Sequence, residues 1–204
     1  LNFQFLEKRP DVVISGINHG SNAATAACYS GTLGAAEEAA MNGIPSIGVS
    51  LSTLNPDADF SVVTKFFPDI FRKLMSDLPS RPGIFYNVNF PDIPPEDIKG
   101  IRVGYQGRGR WVREFTDWSP EAYSKYGITP EMLGQSSTPK IEPGEKLYMM
   151  VGTFVDDESN DCKADHRLID DGYISIVPDN LDATDYEEIR RLTAKGLDID
   201  FNQH

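Results

Sequence analysis

The sequence predicts an α/β fold, a mostly parallel sheet with helices on both faces, extended by a strand-rich hairpin segment. Three observations carry this prediction. Short aliphatic runs alternate with helical patterns over the first hundred residues, as βαβ units require. Gly, Asn and Pro sit at the junctions between these runs. Beyond Gly100 the rhythm changes to short strands separated by a proline-rich stretch.

Asp11-Val12-Val13-Ile14-Ser15 reads as a strand buried on both faces. A loop rich in Gly, Asn, Ser and Ala follows, from Gly16 to Tyr29. Ser30 suits a helix N-cap, residues 34–41 are strong helix formers, and Asn42-Gly43 suits the C-terminal stop. Ile44 to Leu51 is a second strand, entered through Pro45 where a missing N–H costs little. From Phe60 to Leu78 the apolar residues Val63, Phe66, Phe67, Ile70 and Leu74 recur at helical spacing, with Pro68 inside as a kink or break. Ile84 to Phe90 is a third strand, ended by Pro91.

Farther on, Ile101–Gln106 and Trp111–Phe115 read as the arms of a long hairpin, and residues 116–146 are irregular with four prolines (Pro120, Pro130, Pro139, Pro143). Strands return at 147–155 and 172–177, and a helix over 184–192 closes the chain. The expected organisation is one domain: an α/β core over 1–100, the extension over 101–160, and a returning strand with the C-terminal helix over 161–204.

Composition limits the function. With 19 Lys+Arg against 31 Asp+Glu the net charge is −12, which disfavours nucleic-acid polymers because their binding rests on cationic patches. A small phosphate ligand stays open, since backbone N–H groups hold one without positive net charge. No apolar run is long enough for a membrane span, so no membrane partner is expected. Two cysteines, Cys28 and Cys162, form no disulfide framework, and a cytoplasmic setting is expected. The chain starts at Leu1, and residues 1–6 read as the apolar face of a helix entered part-way, so an earlier N-terminus is expected.

The densest chemical signal is Ser15-Gly16-Ile17-Asn18-His19-Gly20-Ser21-Asn22, followed by Tyr29-Ser30-Gly31-Thr32. It occupies a strand–loop–helix corner, and open α/β sheets bind ligands outside the carboxyl ends of their strands. A helix starting near Ser30 points its free N–H groups and positive dipole end into that crevice. Gly31 allows close backbone approach, and the Ser30 and Thr32 hydroxyls add donors. The same three residues also read as a simple N-cap, and the two roles are compatible. Asn18 offers a hard, neutral oxygen suited to Mg²⁺ or Mn²⁺ beside carboxylates. Asn18 and Asn22 equally read as Asx-turn residues that fix the loop.

Residues 10–22, Tyr29 to Ala36 and Gly43 to Ile47 resemble the SurE survival-protein family. Asn87-Val88-Asn89-Phe90-Pro91 resembles its later core strand, and Gly172 to Pro178 with Thr184-Asp185-Tyr186 its C-terminal strand and helix. The resemblance implies a Rossmann-like fold and a metal-dependent phosphohydrolase acting on nucleoside 5′- and 3′-monophosphates, with short polyphosphate as a further substrate of some members. It implies Asn18 as a ligand of one divalent ion, and Asn22, Ser30, Gly31 and Thr32 as phosphate-binding residues. It also implies a homodimer or homotetramer that exchanges the hairpin arm. His19 falls at a variable position and is not assigned catalysis.

The family's Asp-Asp pair does not occur before residue 10 and is expected upstream of Leu1, so residues 1–204 alone are expected to be inactive. Asp156-Asp157 and Asp170-Asp171 read as solvated turn carboxylates, and 156–171 as a solvated acidic loop. Arg108, Arg110 and Arg113 with Trp111 make a basic, aromatic patch that suits either a nucleotide clamp or a subunit contact. Gly104, Gly107 and Gly109 fit no dinucleotide fingerprint and read as bulges or bends. A non-catalytic nucleotide-binding module and an oligomerisation unit remain competing readings.

Overall fold

The computed structural model describes residues 8–124, 127, 129–150 and 152–199, so the reading of residues 1–6 as a helix lies outside the described residues. In chain order the elements are β1 (Val13–His19), α1 (Gly31–Met41), β2 (Ser46–Ser52), α2 (Ser61–Ser76), β3 (Ile84–Pro91), β4 (Gly100–Val103), β5 (Gly109–Val112), β6 (Phe115–Asp117), α3 (Pro120–Ser124), β7 (Tyr148–Met150), β8 (Thr153–Asp156), α4 (Asp165–Asp170), β9 (Tyr173–Asn180) and α5 (Tyr186–Ala194). Short 3-10 turns occupy Ala24–Tyr29 and Glu131–Leu133.

The main sheet has the order β1-β2-β3-β9-β4, parallel at β1–β2, β2–β3 and β9–β4 and antiparallel at β3–β9. Period-2 alternation gives its two faces different chemistry. Ile47, Val49 and Leu51 of β2 join Val88, Phe90, Ile174 and Ile176 on one face, packed on Val62, Val63 and Ile70 of α2. Each such side chain, fully buried, contributes roughly 1.5–3 kcal/mol. The opposite face carries Ser46, Gly48 and Ser50 of β2 with Asn87 and Asn89 of β3, all buried. There α1 packs through Leu33, Ala36 and Ala40, and the Ser46 hydroxyl donates to the Ala36 carbonyl at 2.7 Å.

Three expectations about strands and helices need correction. The first strand runs through His19 rather than stopping at Ser15, with a register shift between Ser15 and Asn18. Among the described residues it is the sheet edge, and there Ile14 and Ile17 are exposed instead of buried on both faces. The second correction concerns the hairpin. Residues 100–103 join the main sheet beside β9, whereas β5 pairs with β8 and β6 with β7. Trp111 lies opposite Phe154 and Phe115 opposite Met150, so the two short ladders share one register along the ribbon, with the described residues between Asp117 and Tyr148 at its tip. Third, Pro68 lies inside a single helix and does not split it.

Residues 156–171 are likewise no solvated loop. Asp165 is fully buried within α4, and Asp156 bonds to His166, Arg167 and Asn160. Partial burial pushes the Asp156 carboxyl up, but the Asn160, Arg167 and His166 bonds outweigh it and hold it below the usual carboxylate range. Gly104, Gly107 and Gly109 mark close approach rather than bends, because an added Cβ would lie 2.3 Å from the Lys163 carbonyl, 2.4 Å from His166 Nδ1 and 2.3 Å from Phe154 Cζ, respectively.

Candidate nucleotide and phosphate site

The corner between β1 and α1 is built from the small, polar residues that the sequence places there. Ser30 is the N-cap of α1 and accepts a hydrogen bond from the Leu33 N–H at 3.0 Å. The Gly34 N–H goes to the Ser30 carbonyl at 2.9 Å, which leaves the N–H groups of Gly31 and Thr32 as the free donors of the first turn. A Cβ at Gly31 would meet no atom within 4 Å. Glycine at this position is therefore not demanded by packing.

Asn18 and His19 part company at the end of β1. Asn18 stands beside Ser50 and His19 beside Leu51, and those two partners face opposite sides of the sheet. Asn18 Nδ2 donates to the Gly20 carbonyl at 2.9 Å, which fixes the loop by a bond opposite in sense to the expected Asx-turn and leaves Oδ1 as the side chain's acceptor. The His19 ring stacks face to face on Phe60, 5.1 Å between centroids, at the start of α2.

Asn22 is buried behind the corner. Its N–H donates to Asn89 Oδ1 (2.9 Å), Asn89 Nδ2 to Asn87 Oδ1 (2.7 Å), and Asn87 Nδ2 back to the Asn22 carbonyl (2.9 Å). Asn22 Nδ2 also donates to Ser50 Oγ at 2.7 Å. This closed ring fastens the loop to the carboxyl ends of β2 and β3. Asn87 and Asn89 carry part of the family resemblance, but sequence reasoning assigns them no role in the site, although two amides at alternate positions of an apolar strand are the signal, because buried polar groups need partners.

A second brace is the Asp165 carboxylate. It accepts from the Ala24 N–H (3.1 and 3.0 Å), the Gly107 N–H (2.9 Å) and the His166 N–H (2.9 Å). Ala24 sits at φ 50°, a conformation that a non-glycine residue adopts only when held there. Sequence reasoning missed Asp165, one of seven acidic residues in its segment with nothing local to mark it.

No group of three His, Cys, Asp or Glu side chains able to hold a metal occurs among the described residues. Asn18 Oδ1 alone is one neutral donor, and a hard dication takes several oxygen ligands. The described residues do not make a metal site by themselves. No helix among the described residues is long and apolar enough to cross a membrane.

Sheet, loop and helix N-terminus define an α/β protein whose α1 N–H groups open beside the carboxyl ends of its strands. Residues 2–113 match the family model described as "Survival protein SurE", and the chain belongs to that family. It is similar to a 5′-nucleotidase SurE of Christiangramia forsetii, 35% identical and covering 95% of this chain and 66% of that protein. It is also similar to one of Bacteroides thetaiotaomicron, 33% identical with 96% and 66% covered. The crystal structure of the Sure protein from Aquifex aeolicus matches with a TM-score of 0.68 at 27% identity, covering 93% of this chain and 67% of that one. The chain thus spans about 66% of the length of the curated relatives.

Proposed function

We propose that the chain supplies the phosphate-binding corner of a phosphohydrolase that removes phosphate from nucleoside 5′- and 3′-monophosphates. Gly31 carries the reading: it is a glycine without a packing reason, at a helix N-terminus with two free N–H groups, in a chain of this family. A ligand's close approach supplies the missing reason. In this reading the Gly31 and Thr32 N–H groups and the Ser30 and Thr32 hydroxyls hold the phosphoryl oxygens and stabilise charge that grows on them during transfer. Asn22 acts from behind, through the amide ring. Asn18 offers Oδ1 to a divalent ion, Mg²⁺ or Mn²⁺, whose carboxylate ligands come from outside the described residues. The two free, exposed cysteines agree with a reducing, cytoplasmic setting. The protein acts as a homodimer or homotetramer joined through the strand-rich extension, at the β6–β7 end of the ribbon.

The absence of a carboxylate cluster among the described residues favours a second reading, a nucleotide-binding module without catalysis. Turnover of 5′-AMP and 3′-AMP separates the two, measured with Mg²⁺ or Mn²⁺ and with EDTA, on the full-length protein and on residues 1–204. We expect metal-dependent turnover by the former and none by the latter. Failure of the full-length protein leaves only the module, and turnover by residues 1–204 defeats the assignment of the missing ligands. Gly31→Ala tests the corner: helix propensity predicts stability unchanged or raised by up to about 1 kcal/mol, while phosphate binding weakens. Unchanged phosphate affinity removes Gly31 from the site.

A further inference from the structure

Beside the corner lies a cavity of about 410 Å³ that the phosphate site does not use. One wall is Thr25 in the 3-10 turn that runs into Ser30, with Gln106 next to it. The other wall is one face of the β5–β8 ribbon. Arg110 lies opposite Val155, and the Asp157 N–H donates to the Arg108 carbonyl at 3.3 Å, so Arg108, Arg110, Val155 and Asp157 share that face.

The ribbon's reverse face is anchored. Trp111 meets Phe154 edge-on at 5.7 Å and Phe154 meets His166 at 5.3 Å. Asn160 takes the Arg108 N–H at 2.9 Å and donates to its carbonyl at 2.5 Å. The cavity wall is therefore held rigid by groups outside the cavity, the condition for preorganised recognition.

The lining chemistry is mixed. Among the described residues no carboxylate forms an ion pair with the Arg108 or Arg110 guanidinium. Asp157 Oδ1 accepts from the Ser159 N–H (2.9 Å) and hydroxyl (2.6 Å), which aims the carboxylate and leaves Oδ2 open. The Ser159 bonds, with Arg108's charge adding to them, hold its carboxyl below the ordinary range, so it is ionised near neutrality. A bare anion would meet Asp157. A ligand edge carrying both acceptors and donors satisfies all three groups.

We propose that this cavity is the nucleobase subsite and that it prefers guanine, an inference resting on the nucleotide reading above. Guanine presents O6 and N7 as adjacent acceptors for guanidinium N–H groups, and N1–H and the 2-amino group as donors to Asp157. Adenine places an amino donor where guanine has O6, facing the guanidinium donors. The spacing agrees: Thr25 to Ser30 along a 3-10 turn is about 10 Å, a span that a nucleoside monophosphate bridges from phosphate to outer base edge.

The test is binding of guanosine and adenosine to this chain by NMR titration or calorimetry, with tripolyphosphate as the anionic probe. Neither nucleoside carries phosphate, so the result is independent of the corner, which Gly31→Ala tests separately with AMP. Guanosine is expected to bind at least about tenfold tighter than adenosine. Asp157→Asn and Arg110→Gln, both at exposed side chains and checked for unchanged thermal unfolding, should each reduce the preference below about threefold. Equal binding of the two nucleosides, or binding of neither, overturns the proposal. So does tripolyphosphate binding that Arg110→Gln abolishes while no guanosine preference exists, which makes the cavity an anion site.

Discussion

Asp179 shows how a single residue on the polar face sets a pH dependence. It lies in β9 opposite Phe85, and burial, followed by the fields of Asp165 and Glu37, pushes its carboxyl up to about 6. The native state thus favours the protonated acid. Its contribution to stability is full below the unfolded value near 3.8, and is lost as pH rises through about 6. Above that, the half-buried charge is disfavoured, and solvent screening holds the cost to on the order of 1–2 kcal/mol. Asp179→Asn should therefore raise stability at pH 7–8, with little effect below pH 4. Urea unfolding across that range checks it, and a variant that is less stable at pH 8 than the parent refutes the assignment.

Between elements, one buried carboxylate joins three parts of the chain. Asp165 ties the 3-10 turn before α1, the base of the ribbon and the first turn of α4. Asp165→Ala strands the Ala24 and Gly107 N–H groups away from water, and should cost about 3 kcal/mol or more. A loss below about 1 kcal/mol in urea unfolding would show that water replaces the carboxylate. Legibility from sequence divides along the same line of local against distant partners. In β2, Ser46-Ile47-Gly48-Val49-Ser50-Leu51 shows its apolar face by alternation alone, and Ser30 and Asn42-Gly43 mark the ends of α1. The corner is legible for the same reason, since its cap, free N–H groups and glycine lie within a few residues of each other. The end of β1 is hidden, because Gly16, Asn18 and His19 carry none of the aliphatic pattern of a strand. The ribbon's pairing is hidden too: Trp111 and Phe154 meet across a proline-rich tip, and no local signal chooses that partner over Ile101–Gln106.

At the scale of the whole molecule, the ribbon raises a question of partners. Its outer half, β6 with β7, is a two-stranded piece of three residues per strand, and such a piece is marginal in water without a surface to cover it. It nevertheless exposes Phe115 (67%), Tyr148 (52%) and Met150 (77%), three large side chains close together on paired strands. Exposure on that scale marks an interaction surface rather than scattered surface apolars. A second copy is the occupant to expect, because a two-fold relation lets the same apolar patch cover itself. The full-length protein should therefore be at least a dimer at micromolar concentration by light scattering. Phe115→Asp combined with Met150→Lys should shift it toward smaller species, while near-native circular dichroism shows that the α/β core survives. A parent protein that scatters as a clean monomer removes the dimer. If instead the double variant keeps the parent's mass, assembly proceeds through another surface and the ribbon's apolar face serves a different partner.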